Sequence, residues 1–472
     1  MVTSRILAYH ILLHLEQKAP HPDRLIRTTL ERHSRLDERD RALLTELVYG
    51  VLRWRGRLDW HIDQLSRTRA DKIAPQVRVL LRLALYQILF LDRIPDHAAV
   101  NDAVEVAKSS QPPHVIRFIN ALLREAARRG ANPESAAPDL EAAAATAHIA
   151  PPPAGARWNW PDPRKDPAAC MAVMTSHPVW LTSRMIAEIG LEEAGLFFEA
   201  SNRIAPAVFR INTLRTSREE AIASLLQEGI DATPSARLEH AIRVTAPRRD
   251  MTGTNAFRQG LIQSQDEASQ IVSLLLFPEP GERVLDLCGG LGVKSSHIAM
   301  LMKNEGEVLT VDTSAWKLDE ARKNGQRQAI TIIRTLAEDV LSLQPQSTGL
   351  FDRVLLDAPC TGWGSVRRKP DIKWRRHIKD SYRLSLIQKE LLIHAAAFVK
   401  PGGVLVYATC TVFREENESV AQHLESNTDL ALEPALEHLP PLCREMTSGP
   451  YYRSWPHKHD QDGFFSARWR RR

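Results

Sequence analysis

Apolar residues recur at spacings of three and four from residue 3 to about residue 130. The clearest instance comprises Leu43, Leu44, Leu47, Val48 and Val51. This spacing is typical of helices that bury one face, and no convincing strand pattern interrupts it. Asp96 is placed to cap a helix beginning at His97, and Gly130 stands where a helix end is expected after LLREAARR. The pattern predicts an all-α domain over 1–130.

A different composition follows. Residues 131–168 are rich in Ala and Pro, which resists packing and predicts an extended linker. Over 169–262, a helical run, SREEAIASLLQEG, is mixed with the strand-like runs AVFRINT and AIRVTA. We expect a small α+β module there, similar to an RRM fold.

Helix and strand patterns alternate over 263–472. An amphipathic helix near 266–277 precedes the strand RVLDLC, and the strands VLTVD, FDRVLLD and GVLVYATC follow, each separated from the next by a helical segment. Such alternation predicts parallel strands joined by right-handed crossovers. We therefore expect a doubly wound, Rossmann-like α/β domain, which makes the chain a multidomain protein.

Composition excludes several classes of protein. Hydrophobic residues make up 43% of the chain and charged residues 25%, a balance typical of folded globular domains. The N-terminal apolar run is broken by Arg5 and His10, unlike a signal peptide, and the longest apolar stretch carries Arg78 and Arg82. The five cysteines lack metal-ligand spacing. We expect free thiols, no metal, no membrane association and a cytoplasmic location.

The positive charge is concentrated in the first domain. Residues 1–130 carry a formal charge of +7, whereas the whole chain carries +5. A basic module joined to a nearly neutral one suggests that the first binds an acidic polymer and the second performs chemistry. A solvated surface with surplus arginines accounts for the charge equally well.

A glycine loop follows the first strand of the α/β domain. The strand ends at Asp286-Leu287-Cys288 and runs into the loop Gly289–Ser295. Ligands bind at the carboxyl ends of such strands, but a glycine loop alone is a weak indication of one. Asp312 ends the second strand, where a carboxylate usually accepts ribose hydroxyls, and Asp339 could receive an adenine amino group. An exposed loop aspartate without function explains Asp339 nearly as well.

Two cysteines stand at the ends of the last two predicted parallel strands. Asp357 and Cys360 follow FDRVLL, and Cys410 follows GVLVYAT. Either cysteine alone would be read as a small buried hydrophobe. Because both would face the same cleft, beside the glycine loop, the pair favours a catalytic function.

Several longer segments carry a family resemblance. DAPCTGWGSVRRKPDIKW, YATCTVFREENE and DGFFSARW resemble the signature segments of the Nol/Nop/Sun family of RNA 5-methylcytosine methyltransferases. Residues 1–130 resemble the NusB-like RNA-binding domain fused to its bacterial RsmB-type members, through YGVLRWRGRLDWHIDQL and FINALLREAARR. HPVWLTSRM, FRINTLRTS and GLIQSQDEASQ are similar to the middle region of the same proteins.

The resemblance implies an activity and a set of roles. It implies methylation of carbon 5 of a cytosine, most simply in small-subunit (16S) ribosomal RNA, with S-adenosylmethionine as cofactor. Carbon 5 of cytosine is a poor nucleophile, so a thiolate must first add to carbon 6. Cys410 matches the family nucleophile, and Cys360 matches the second thiol, which helps to remove the carbon-5 proton and release product. Asp357 can hold a proton at ring nitrogen N3 and also lies against the cofactor.

The cofactor loop departs from the family pattern. The family usually has C-A-A-P-G-G-K-T, whereas this chain has C-G-G-L-G-V-K-S. Val293 would be costly at a position of positive φ, and the added glycines predict a looser loop and weaker cofactor affinity. The residues expected to hold S-adenosylmethionine are Cys288, Gly289, Gly290, Leu291, Gly292, Val293, Lys294, Asp312, Asp339 and Asp357.

Basic residues follow the Cys360 segment and also end the sequence. The residues predicted to contact RNA are Arg367, Arg368, Lys369, Lys373 and Arg375. A solvated loop is the alternative for them. Arg468, Arg470, Arg471 and Arg472 are interpreted as a frayed basic tail.

Three functions remain open at this stage. The favoured one is an RNA cytosine-5 methyltransferase, acting as a monomer on flipped-out bases of ribosomal RNA. A non-catalytic RNA-binding ribosome-assembly factor with a degenerate cofactor loop is the second. The third is a methyltransferase for protein or adenine, which would need no cysteine nucleophile.

Overall fold

A computed structural model describes residues 3–18, 21–129, 158–244 and 251–472. The chain forms two compact units, of which the first comprises Met1–Asn202 with Lys369–Arg375. The second comprises Arg203–Arg368 with Arg376–Arg472. Gly130 and most of the predicted linker lie outside the described residues. In the part of the chain that is described, no helix is both long enough and apolar enough to span a membrane.

The first unit is helical throughout its described N-terminal part, as predicted. Its first six helices are α1 Ser4–Lys18, α2 Pro22–Arg32, α3 Glu38–Leu65, α4 Pro75–Phe90, α5 Asp96–Lys108 and α6 Pro113–Arg129. Asp37 caps the long helix α3 by accepting from the Asp40 N–H. Helix α5 begins at Asp96 rather than after it, because Pro95 takes the extended N-cap conformation. The capping role expected of Asp96 is therefore wrong.

The described residues 158–202 add three helices to the same unit. They are α7 Pro167–Thr175, α8 Val179–Ile189 and α9 Leu191–Asn202. Cys170 and Met174 of α7 pack with Trp158 and Trp160 against Trp60 of α3. The sequence-based boundary at 169 grouped these helices with the strands that follow, whereas their apolar faces are buried among helices.

The second unit begins with a small antiparallel sheet. Its strands are β1 Ala207–Ile211, β2 Ala232–Pro234, β3 Ala241–Val244 and β4 Ile262–Ser264, in the order β2-β3-β1-β4. Helix α10 Arg218–Gln227 starts with a capping box formed by Ser217 and Glu220, and the short helix α11 spans Asn255–Arg258. The α+β expectation is confirmed.

A nine-stranded sheet forms the rest of the second unit. Its strands are β5 Arg283–Leu287, β6 Glu307–Asp312, β7 Ile333–Ala337, β8 Phe351–Asp357, β9 Val399–Thr409, β10 Ala431–Glu433, β11 Thr447–Ser448, β12 Tyr451–Arg453 and β13 Phe465–Arg470. The order is β11-β12-β13-β9-β8-β5-β6-β7, and β10 pairs with β13. Strands β5 to β9 pair in parallel, as predicted, and β10 to β13 add antiparallel pairs.

Helices cover the sheet and connect its strands. They are α12 Glu267–Leu276, α13 Val293–Leu301, α14 Ala315–Arg327, α15 Pro345–Thr348, α17 Ile378–Ala396, α18 Glu418–Asn427 and α19 Pro456–His459; the short α16, Ile372–Arg375, lies in the first unit. Leu285, Val354 and Leu405 are fully buried on the central parallel strands. Because strand order reverses between β5 and β8, the carboxyl ends of these strands flank a crevice.

The frayed-tail interpretation of the last arginines is wrong for Arg468 and Arg470. Both lie in β13, which pairs with β9 along six residues. The buried Arg468 guanidinium donates to Glu433 and to the backbone oxygens of Leu275 and Leu276. These side chains are structural because each has acceptors within the sheet and its covering helix.

Candidate active site

The glycine loop leaves β5 through three residues of positive φ. These are Cys288 (+61°), Gly290 (+58°) and Gly292 (+71°), and Val293 is the first residue of α13. The left-handed position is therefore occupied by Gly292, while valine stands at a helical position, where a β-branched residue carries no such strain. The valine substitution is thereby accommodated, and Leu291 is exposed.

Two carboxylates order the loop and its surroundings. Asp312, at the end of β6, accepts from the Gly290 N–H at 3.1 Å and from the Ser314 N–H at 2.8 Å. Asp339 follows β7 and accepts from the Leu341 N–H at 3.0 Å. A methyl group added at Gly290 would have its nearest neighbours 3.9 Å away, so there is open space over the loop. Glycine backbone, this space and the Asp312 carboxylate suit an adenosine group.

Asp286 lies beneath the loop and is completely buried. Its Oδ2 accepts from Ser295 Oγ at 2.5 Å, and Oδ1 has no hydrogen-bond partner within the described residues. Burial raises the pKa of Asp286 to about 7, and the negative charge of Asp357 adds to the rise. The site thus holds a buried acid with one carboxyl oxygen unpaired among the described residues.

Lys294 and Asp357 form an ion pair across the crevice. Lys294 Nζ lies 2.6 Å from Asp357 Oδ2, and the Lys294 side chain is almost fully buried. Burial lowers the pKa of Lys294, but the charge and hydrogen bond of the Asp357 carboxylate, with a smaller contribution from the Cys410 thiolate, outweigh burial and raise it overall. Lys294 is therefore a cation, and its charge favours a thiolate on Cys410. The sequence indicated a cofactor contact for Lys294 and missed this partnership.

The two predicted thiols meet. Cys360 Sγ lies 3.4 Å from Cys410 Sγ, although the residues are fifty positions apart. The hydrogen bond to Cys410, followed by burial, raises the pKa of Cys360 well above its ordinary value. Cys360 is consequently a neutral thiol while Cys410 remains unmodified. The free cysteines Cys288, in the glycine loop, and Cys443, outside the site, each have a pKa raised by burial, to about 12 and about 11 respectively.

Backbone contacts hold both thiol-bearing segments. The Gly364 N–H donates to the carbonyl oxygen of Cys410 at 2.9 Å, and Arg376 donates to the carbonyl oxygens of Cys360 and Thr361. A methyl group on Gly364 would lie 1.9 Å from the Gly463 oxygen, so close backbone approach requires glycine at this point. The DGFF segment supports the Cys410 segment in this way.

Two of the predicted RNA-contacting arginines are used within the protein. Arg367 is buried and pairs with Asp460 at 2.9 Å. Arg368 bridges Asp266 at 2.7 Å and Asp462 at 3.1 Å. Their guanidinium groups therefore join segments of the second unit, and contact of Arg367 and Arg368 with RNA stays a prediction.

The remaining three belong to the first unit. Lys373 is buried, and Nζ donates to Asn202 Oδ1 at 2.6 Å and to two backbone oxygens. Arg375 pairs with Asp371 at 3.0 Å. Lys369 is exposed and so can meet a phosphate. Lys373 is enclosed by its acceptors, and its contact with RNA likewise stays a prediction. In the described part of the chain, no three His, Cys, Asp or Glu residues are placed to hold a metal ion.

Comparisons with known proteins cover all three regions. Residues 273–470 match the family described as 16S rRNA methyltransferase RsmB/F. Residues 2–128 match the NusB family, and residues 177–251 match a ferredoxin-like domain described as RsmF/B-like methyltransferase.

Individual relatives extend these matches along the whole chain. The chain is 33% identical over 474 residues to the probable ribosomal RNA small subunit methyltransferase B of Bacillus subtilis, covering 99% of this chain and 98% of that one. It is 35% identical to ribosomal RNA small subunit methyltransferase B of Vibrio cholerae, over 88% and 89% of the two chains. The crystal structure of PH0851 superposes with a TM-score of 0.79 at 27% identity, covering 99% of each chain.

Proposed function

The chain belongs to the RsmB/F family of 16S rRNA methyltransferases, and we propose that it methylates carbon 5 of a cytosine through a covalent adduct with Cys410. The protein is an S-adenosylmethionine-dependent rRNA methyltransferase, and RNA is its partner. We propose three further points: methylation at carbon 5, a covalent adduct with Cys410, and the roles of the site residues. The 3.4 Å approach of the Cys360 and Cys410 sulfurs is the observation that carries it.

The residues of the glycine loop fit the cofactor. S-adenosylmethionine supplies the methyl group when it is bound. The loop Cys288–Lys294 would hold it, with Asp312 toward the ribose and Asp339 toward the adenine. Asp357 lies between this region and the thiols, where it fixes Lys294 through the 2.6 Å ion pair.

The thiols divide the work. Cys410 adds to carbon 6 as a thiolate, favoured by the Lys294 cation, and pushes electron density to carbon 5. A proton held near Asp357 at N3 stabilises the adduct. After carbon 5 has received the methyl group, its proton leaves to a base, the double bond to carbon 6 reforms, and the bond to Cys410 breaks.

The order of these steps follows from the environment of Cys360. Its hydrogen bond to Cys410 is the largest cause of its raised pKa. Once Cys410 is bonded to carbon 6, that hydrogen bond and the thiolate charge are lost, so Cys360 gives up its proton more easily. Cys360 thereby becomes a base for the carbon-5 proton only after the adduct has formed.

Ribosomal RNA lacking its native methylation provides the test. Transfer of labelled methyl from S-adenosylmethionine is measured with the wild type, Cys410→Ala, Cys360→Ala and the matched control Cys443→Ala. We expect label in 5-methylcytosine with the wild type and the control. Transfer should fall by about 10⁶-fold with Cys410→Ala, by analogy with loss of other nucleophiles.

The adduct and the alternatives give separate readouts. Cys360→Ala should accumulate a protein–RNA adduct that survives denaturing electrophoresis, because the base for the last step is missing. Label elsewhere than carbon 5, or full transfer by Cys410→Ala, would overturn the proposed chemistry. RNA binding without transfer at saturating cofactor would favour the assembly-factor function.

The setting of the enzyme belongs to the same proposal. Two reactive thiols 3.4 Å apart require a reducing compartment to stay unpaired, which supports action in the cytoplasm. We expect a monomer that needs no metal ion, and light scattering and assays with a chelator test these two expectations.

A further inference from the structure

Glu416 is a fully buried carboxylate behind the two thiols. It ends the short 3₁₀ turn Arg414–Glu416, which follows β9 and Cys410. Its side chain reaches Thr361, the residue after Cys360, and Thr411, the residue after Cys410. One side chain therefore contacts both thiol-bearing segments.

The hydrogen bonds around Glu416 form a consistent set. Oε2 accepts from the Thr361 N–H at 2.8 Å and from Gln388 Nε2 at 3.1 Å. Oε1 accepts from the Thr361 hydroxyl at 2.5 Å. The Thr411 hydroxyl lies 2.7 Å from Thr361 Oγ1 and 3.3 Å from Glu416 Oε1, so it is the donor toward these oxygens.

Further hydrogen bonds hold the backbone of Glu416 and the segments beside the thiols. The Tyr407 hydroxyl donates to the Glu416 carbonyl oxygen at 2.6 Å. Gln388 also donates to the Pro359 carbonyl oxygen at 2.8 Å, on the segment that precedes Cys360. Asn417 Nδ2 donates to the Thr411 carbonyl oxygen, and its Oδ1 accepts from Thr409. Both sides of the thiol pair are thus tied to one buried network.

We propose that Glu416 is a positioning residue that holds Cys360 and Cys410 at reacting distance by binding Thr361 and Thr411 together. The proposal rests on the proposed function for its consequence in catalysis, but its geometric content stands apart from activity. Without the carboxylate, the two segments lose their shared acceptor and the thiols separate.

The variants are chosen to separate positioning from folding. Glu416→Ala removes every acceptor, whereas Glu416→Gln keeps an acceptor for the Thr361 N–H and a donor for the threonine hydroxyls. Glu415→Ala is the matched control, since Glu415 is the adjacent acid and accepts from Ser381 on α17. Unfolding midpoints confirm that each full-length variant is folded.

The first readout is the formation of the Cys360–Cys410 disulfide in a glutathione buffer, followed by alkylation and peptide mass spectrometry. Each disulfide formed consumes one glutathione disulfide and releases two glutathione thiols, so the equilibrium measures the effective concentration of one thiol at the other. We expect Glu416→Ala to lower this equilibrium constant by at least about 10-fold, while Glu416→Gln and Glu415→Ala stay near the wild type.

The second readout is methyl transfer. We expect Glu416→Ala to lower kcat by about 100-fold with little change in KM for RNA, because a displacement of about 1 Å at reacting groups costs that much. Glu416→Gln should retain most of kcat. If Glu416→Ala is folded and its disulfide equilibrium is unchanged, the positioning role is wrong. If Glu416→Ala unfolds, the positioning role is wrong when Glu416→Gln loses kcat but keeps the disulfide equilibrium of the wild type. If the wild type transfers no methyl group but its disulfide equilibrium still depends on Glu416, the proposed function is wrong and the positioning role stands.

Discussion

Asp286 lowers the stability of the folded protein by an amount that depends on pH. Its carboxyl is buried under the glycine loop, and burial raises its pKa to about 7 from an ordinary value of 3.8. The folded protein therefore keeps a proton that the unfolded chain releases as the pH rises from about 4 to about 7. Since the unfolded state binds fewer protons in this window, stability falls as the pH rises through it.

Replacing the carboxyl by an amide should remove this dependence. We expect Asp286→Asn to gain stability relative to the wild type between pH 4 and pH 7, by up to ~4 kcal/mol, since each pKa unit is worth about 1.4 kcal/mol. Urea unfolding of both proteins at several pH values gives the difference. The exposed Asp231→Asn is the control, and parallel pH profiles for Asp286→Asn and the wild type would contradict the argument.

Individual residues differ in how visible they are in the sequence. Cys360 and Cys410 could be identified because a thiol at a strand end is chemically distinctive. Glu416 could not, because nothing in the charged run FREENE of the segment YATCTVFREENE indicates that this acid is buried. Only the fold shows that this acid is buried and faces two threonines.

The turn between β5 and α13 has little room beneath it. A Cβ at Gly289 would lie 2.5 Å from Thr310 Cγ2 on β6 and 3.0 Å from Asp286 Oδ2. Gly289 itself has no positive φ, so the obstacle is contact with the neighbouring strand rather than backbone strain. The glycine and the threonine on β6 are therefore a matched pair.

The family's alanine at this position gives a test of that pairing. Gly289→Ala should destabilise the protein by about 1–3 kcal/mol, the usual cost of overpacking. Adding Thr310→Ala removes the opposing methyl and should recover much of the loss, whereas Thr310→Val keeps that methyl and should not. Urea unfolding of the singles and doubles measures the coupling energy. Equal coupling in the two doubles would show that the methyl is not responsible.

Whole elements were predicted where their pattern is local. The parallel strands β5 to β9 follow from alternation of helix and strand, and the glycine loop follows from composition. The pairing of β13 with β9 was missed because Phe465–Arg470 ends in arginines, whose acceptors on Glu433 and Leu275 lie far away in sequence. Long-range partners of charged residues leave no local pattern.

At the scale of the molecule, the segment Lys369–Arg375 departs from the domain order along the chain. It follows the Cys360 segment in sequence yet belongs to the helical unit. Trp374 Nε1 donates to the Leu52 carbonyl oxygen at 2.6 Å, and Lys373 donates to Asn202. The sequence predicted that this basic segment contacts RNA, because the positions of the acceptors on Leu52 and Asn202 cannot be deduced from the sequence.

In a protein that lacks the helical unit, this segment should therefore be less ordered and more open to proteolysis. In residues 203–472 alone, Lys373 and Trp374 lose these partners, and trypsin should cut after Lys373 at least roughly 10 times faster than in the full chain. Cleavage after the exposed Lys323 is the internal reference, because its surroundings are unchanged. Equal rates after Lys373 in both proteins would show that the segment is stable without the helical unit.

The strand order also bears on how such an enzyme can diversify. Asp312 ends β6 and Asp339 follows β7 on one side of the reversal between β5 and β8. Cys360 and Cys410 follow β8 and β9 on the other side. These loops follow different strands, so mutations can change one set without the other. An enzyme of this fold can therefore evolve toward a new target base while the loops that hold the methyl donor stay the same. The Lys294–Asp357 ion pair joins the two sides of the crevice. Natural or designed changes on either side must therefore keep both members of this pair.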